Sequence, residues 1–133
     1  MALTDPIADA LTLVRNASRA HKQRLDVRAS AMVTSIMKIL RQEKFIFDYR
    51  LIEDKKQGIL RVYLSKENEA PARRINRIVR ISKPGLRIYT KKESIPTVLS
   101  GLGICILSTP EGLLSGDQAK RRGVGGEVIC KIW

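Results

Sequence analysis

Between Pro71 and Lys92 the chain carries Arg73, Arg74, Arg77, Arg80, Lys83, Arg87, Lys91 and Lys92, and not one acid. Apolar residues alternate with these cations at strand spacing. One face can therefore pack inward while the other offers guanidinium and ammonium groups to phosphates. Tyr89 lies in the same run, with a ring suited to stack on an unpaired base and a hydroxyl suited to a ribose. A strand face that is merely solvated normally mixes both signs of charge. The chemistry that fits best is recognition of a polyanion.

Weaker signals point the same way. Ser108-Thr109-Pro110-Glu111-Gly112 follows an apolar run. Short hydroxyl side chains at a strand tip can bond to phosphate, sugar or base edges without steric bulk, and Gly112 permits a tight turn. Gly123-Val124-Gly125-Gly126 offers backbone amides that a sugar-phosphate chain can approach closely. Arg15, Arg19, Lys22, Arg24 and Arg28 surround the end of the first helical pattern. Lys120, Arg121 and Arg122 end the last one, where cations also suit the helix dipole.

An enzyme is hard to build from these residues. His21 is the single histidine, in a polar, basic segment, and reads as a surface residue. No His-Cys set has metal-ligand spacing, and the Walker phosphate loop is absent. Gly101-Leu102-Gly103 lacks the third glycine of a dinucleotide fingerprint. Asp5 with Asp9, and Glu53 with Asp54, read as cap and loop carboxylates. Ser108 and Thr109 have no nearby base to activate them. No catalytic residue, metal, cofactor or small-molecule substrate is expected.

Charge and length narrow the class. Lys and Arg number 25 against 13 Asp and Glu, a net charge of +12 on 133 residues. Self-repulsion of that size usually marks a polyanionic partner. A hydrophobic content of 44% is enough for a core. No apolar stretch reaches the length of a membrane span, and Met1 to Pro6 lacks the basic and apolar regions of a secretory signal. Cys105 and Cys130 each lie in an apolar run without a Cys-x-x-Cys partner. They read as free core thiols in a reducing compartment.

The elements that must position these groups follow from periodicity and capping. Asp5-Pro6 starts a helix to about Arg19, with Ile7, Leu11 and Val14 on one face. Leu25 and Val27 mark a short strand. Ser30 caps a second helix whose stripe is Val33, Ile36, Met37 and Leu40. Strands are expected over Phe45–Ile52 and around Leu60–Leu64, joined by a loop ending at Gly58. Ser65–Pro71 reads as a linker. Beyond it Ile75–Ile81, Leu86–Thr90, Ile104–Leu107 and Val128–Trp133 read as strands, with a turn at Pro84-Gly85. Ile95–Ser100 reads as a helical turn. Ser115 and Gln118 have capping-box spacing for a helix ending near Arg122, with Gly123 as its stop. The expected class is α+β: an N-terminal α-β-α-β-β domain over residues 1–66 and a mainly β, RNA-binding domain with short helices over residues 67–133.

Several motifs in order carry a family resemblance over nearly the whole chain. They are Thr4-Asp5-Pro6-Ile7-Ala8-Asp9, Arg15-Asn16-Ala17, Gln57-Gly58-Ile59-Leu60, Arg80 through Tyr89, Gly101-Leu102-Gly103-Ile104, Ile106-Leu107-Ser108-Thr109 and Gly123 through Val128. The chain resembles the bacterial-type small-subunit ribosomal protein eight family. The resemblance implies a structural constituent of the small ribosomal subunit that binds the central domain of 16S-type rRNA and helps subunit assembly. It implies RNA contacts from Ser108, Thr109, Gly112, Tyr89, Lys83, Arg87, Gly125, Gly126 and Glu127, and from Thr4, Asp5 and Arg15. Neighbouring small-subunit proteins would be partners, on a cytoplasmic or an organellar, especially plastid, ribosome. A translational repressor that binds mRNA off the ribosome is the alternative reading. The chain departs from the family pattern at Ala31, Lys44, Pro110 and Ser115-Gly116-Asp117. Lys44 stands where a helix-ending glycine is common, and Pro110 removes a donor from the serine-threonine loop.

Overall fold

Pro6 opens helix α1 (Pro6–Arg19), where its missing N–H costs nothing. Asp9 in the first turn and Arg19 in the last match the helix dipole. Ala10, Leu11, Val14 and Ala17 form its buried stripe. The structure, a computed structural model, describes residues 5–71 and 73–133.

Helix α2 (Ala31–Gln42) is capped by Ser30, whose hydroxyl accepts from the Val33 N–H at 3.1 Å. Val33, Ile36, Met37, Ile39 and Leu40 are buried along it. The helix ends through Lys44, at a φ of 65°, and the Phe45 N–H returns to the Leu40 carbonyl at 2.9 Å. Phe45 and Ile46 are thereby turned into the core. The expected strand over 45–52 is accordingly shorter, because its first three residues serve the helix end. Strand β2 covers Asp48–Ile52 only.

With β1 (Arg24–Arg28) and β3 (Ile59–Tyr63), β2 forms an antiparallel sheet of order β1-β3-β2. Val27, Leu60 and Val62 supply its buried face, and Val27 pairs with Leu60. Alternation sends Arg24, Asp26, Arg28, Arg50, Arg61 and Tyr63 to the opposite face.

The second sheet contains β4 (Ile78–Arg80), β5 (Tyr89–Thr90), β6 (Ile104–Thr109), β7 (Gly112–Ser115) and β8 (Gly126–Ile132). Its order is β4-β8-β6-β7, with β5 also on β8. Cys105, Leu107, Leu114 and Val128 pack with Ile95, Val98 and Ala119, the last from helix α3 (Gly116–Arg122). The expected capping box is present: Ser115 Oγ accepts from the Gln118 N–H at 3.3 Å, and Gln118 Oε1 accepts from the Ser115 N–H at 3.1 Å. Gly123 closes the helix.

Three expectations are corrected here. Regular strand covers only 78–80 and 89–90 of the two strands expected over 75–81 and 86–90, although backbone bonds to β8 and Trp133 continue at Arg77, Ile81, Ser82 and Ile88. Between the two strands the buried Ser82 hydroxyl accepts from the Ile88 N–H at 2.7 Å and donates to the Ile88 carbonyl at 3.1 Å. It closes an 82–88 hairpin around Pro84-Gly85. Residues 95–98 are not helical. Two short 3-10 turns flank them, Lys92–Ser94 and Leu99–Gly101, since Ile95, directly before Pro96, is held extended at ψ 125°. Finally, β6 runs past Leu107 to Thr109 and pairs with β7, a strand not expected, in a hairpin whose turn is Pro110-Glu111.

The chain divides into two compact units, residues 6–76, and residues 77–133 together with Asp5. Residues 67–76 group with the N-terminal unit, beyond the 66/67 boundary expected from the linker composition. Ser18 Oγ donates to the Ile75 carbonyl at 3.4 Å, and the Arg73 guanidinium covers the Phe45 ring at 4.0 Å.

Candidate nucleic-acid interface

In the C-terminal unit, Glu127 on β8 lies directly opposite Tyr89 on β5 and Ser108 on β6. Opposed residues of antiparallel strands project to the same face. That face is the reverse of the one carrying Leu107 and Val128, because alternation turns successive side chains over. Pairing thus assembles Tyr89, Glu127 and Ser108 into one row from segments far apart in sequence.

Each member has a definite state. Tyr89 is 69% exposed. Arg87 Nη1 donates to Glu127 Oε2 at 3.1 Å, so the one acid in the row holds a guanidinium over it. The half-buried Ser108 hydroxyl has no hydrogen-bond partner among the described residues. Lys83, exposed, stands at the base of the Pro84-Gly85 turn, where its N–H and carbonyl pair with Leu86.

The other expected contact residues divide. Thr109 Oγ1 donates to the Gly112 carbonyl at 2.7 Å and accepts from the Glu111 N–H at 3.1 Å. Its hydroxyl builds the hairpin turn, where Gly112 takes a φ of 99°. Gly125 and Gly126 are hemmed in by the chain itself. A Cβ on Gly126 would collide with the Ser108 carbonyl, and one on Gly125 with the Thr90 carbonyl. Their glycine identity is explained by strand packing before any ligand is considered. Asp5 Oδ2 accepts from Arg80 Nε at 3.1 Å, and Arg80 Nη1 also donates to the Ile129 carbonyl at 2.8 Å. Both side chains are largely buried. Arg15 belongs to the other unit, half-buried, with its Nε unpartnered. Thr4 lies outside the described residues.

The acid-free run of 71–92 is therefore not one face. Arg73 packs on Phe45, and Arg74 Nη1 meets His21 Nδ1 at 2.7 Å, both within the N-terminal unit. Arg77 lies by Trp133, and Arg80 is buried with Asp5. Lys83, Arg87, Lys91 and Lys92 remain exposed in the C-terminal unit. Sequence periodicity carried no sign that Ser82 would shape this hairpin or that Glu127 would hold Arg87.

Both cysteines are free and buried, as expected. Burial pushes the Cys105 thiol up, and that of Cys130 up to about 12. Among the described residues no His, Cys, Asp and Glu cluster could hold a metal ion, and no helix is long and apolar enough to cross a membrane.

The geometry defines a class: a small basic α+β protein with a helix-backed three-stranded sheet and a five-stranded sheet bearing the Tyr89–Glu127–Ser108 row. Residues 5–133 match the family model described as Ribosomal protein S8. The chain is 51% identical over 133 residues to the small ribosomal subunit protein uS8 of Desulforamulus reducens, covering all of both chains. It is 52% identical over 133 residues to that of Streptococcus thermophilus, again covering all of both. With that of Kosmotoga olearia it shares 48% over 132 residues, 98% of each. The chain belongs to the ribosomal protein S8 family, a family of structural, non-enzymatic proteins.

Proposed function

We propose that this structural protein of the small ribosomal subunit binds 16S-type rRNA through the C-terminal sheet and so helps the subunit assemble. The observation that carries the reading is the Tyr89–Glu127–Ser108 row. It offers an exposed ring for stacking, a guanidinium held in place by a carboxylate, and a hydroxyl with its bonding capacity unused. Such a set suits an RNA loop, where unstacked bases and 2′-hydroxyls are accessible. Lys83, Lys91 and Lys92 would add phosphate contacts. Gly125 and Gly126 act by letting β5, β8 and β6 come close enough to form the row. Thr109 and Gly112 act by fixing the hairpin that ends in Ser108, and Asp5 by holding Arg80.

The test is titration of the full chain with transcribed 16S-type rRNA at several salt concentrations. Affinity should fall steeply with salt as counterions are released. Binding should also survive competition by an unstructured polynucleotide. Arg87→Ala should lower the salt slope by about one. Equal affinity for rRNA and competitor would overturn the reading.

A further inference from the structure

Phe47 is 45% exposed, although its neighbours Phe45 and Ile46 are buried. It is one of two phenylalanines in the chain. Its N–H donates to the Tyr63 carbonyl at 2.7 Å, at the end of the β2–β3 pairing in the N-terminal sheet. There Phe47, Arg50, Tyr63 and Lys66 line a depression of about 210 Å³, together with Asp48 and Glu67. The Arg50 guanidinium lies over the Tyr63 ring at 6.0 Å.

The outer face of that sheet, which carries Arg50 and Tyr63, is basic. Cross-strand pairing aligns Arg24 with Tyr63 and Asp48, and Asp26 with Arg61 and Arg50, with Arg28 one row further. Two of the acids already have partners: Asp26 takes Arg61 at 2.9 Å, and Asp48 takes Arg41 at 3.1 Å. The Arg61 hydrogen bond holds the Asp26 carboxyl below its usual range. Arg24, Arg28 and Arg50 make no ion pair among the described residues. An exposed phenylalanine beside a half-buried tyrosine, flanked by guanidinium groups outside any ion pair, has the chemistry of a stacking platform for single-stranded nucleic acid.

We infer that this outer face is a second RNA-contact surface, where Phe47 and Tyr63 stack on an unpaired base and Arg24, Arg28 and Arg50 hold the adjoining phosphates. The inference rests on the RNA-binding reading above but uses a different sheet and none of the residues expected from the family resemblance.

Full-length variants would be titrated with 16S-type rRNA, with denaturation midpoints measured in parallel. Phe47→Ala should weaken binding about tenfold, the scale of one lost stack, with its midpoint unchanged. Phe47→Trp should keep wild-type affinity, because a larger ring still stacks. Replacing Arg24, Arg28 and Arg50 together by Gln should lower the salt slope by about three. Ultraviolet crosslinking of the wild-type complex should place nucleotides on the peptide holding Phe47. Wild-type affinity in Phe47→Ala would overturn the inference, and so would equal weakening in Phe47→Trp. Normal binding of Phe47→Ala to naked rRNA, with poor entry into assembling subunits, would assign the face to a protein neighbour and also overturn it. A wild-type chain with no preference for 16S-type rRNA would instead refute the earlier reading.

Discussion

Gly125-Gly126 and Lys44 treat the backbone in opposite ways. At the glycine pair the strands leave no room for a side chain, and the chain has none. At Lys44 the backbone takes a φ of 65°, a glycine's conformation, and the chain nevertheless carries a lysine. The first choice follows from packing and is required for β5, β8 and β6 to meet. The second is unfavourable by roughly 1 kcal/mol for an L-residue, and no fold contact explains it. Lys44 instead stands exposed beside Phe47, lining a second depression with Arg41 and Lys66. At the glycine pair local geometry serves the sheet. At Lys44 a strained residue places a cation near an exposed ring.

The largest effect that tests this contrast is Gly126→Ala. A methyl group there would meet the Ser108 carbonyl, which is backbone and cannot swing aside. Strand β8 must separate from β6 or the bulge near Ile106 and Leu107 must widen. The expected loss of stability is about 3 kcal/mol, read as a lower denaturant midpoint. RNA affinity should fall with it, because the Tyr89–Glu127–Ser108 row depends on that pairing. A midpoint within error of wild type would show that Gly126 is not confined by packing.

What the sequence disclosed follows the range of the interactions. Both long helices, the Ser30 cap, the Ser115–Gln118 capping box and the alternating core of β3 depend on neighbours within a few residues. Those were legible. Ser82 bonding to Ile88, Arg80 reaching Asp5, and Arg73 covering Phe45 are side-chain interactions that periodicity does not register. They shaped the 82–88 hairpin and decided which cations of the 71–92 run stayed on the surface. Of the site, Ser108, Tyr89, Arg87 and Glu127 were named from sequence, but their alignment in one row became visible only from strand register. Strand β7 was missed because its four residues, Gly112–Ser115, are too few to show an alternation. The β6–β7 register and the Thr109 hydroxyl bonds show the hairpin.

A middle-sized effect separates two adjacent hydroxyls. Ser108→Ala removes a group with no partner in the chain. It should leave the denaturation midpoint unchanged and weaken rRNA binding by about 1–2 kcal/mol. Thr109→Ala removes both bonds of the Pro110-Glu111 turn. It should lower stability by about 1 kcal/mol and affect RNA binding only through the displaced hairpin. The comparison breaks if Ser108→Ala destabilises the fold, or if Thr109→Ala weakens binding with its midpoint intact.

The smallest effect has the opposite sign. Lys44→Gly should stabilise the protein by about 0.5–1 kcal/mol, because glycine adopts positive φ without a Cβ clash. The gain is reduced by the greater freedom of glycine in the unfolded chain. The same substitution removes a cation beside Phe47, so the salt slope of rRNA binding should fall by about one if Lys44 contacts a phosphate. A more stable protein that binds RNA less tightly would show strain retained for a charge. Lys44→Ala sharpens the test, since it removes the charge while keeping the strain. Its binding should match Lys44→Gly and its midpoint should match wild type. If Lys44→Gly were more stable and bound RNA equally well, the lysine would hold a glycine's place without serving the RNA surface.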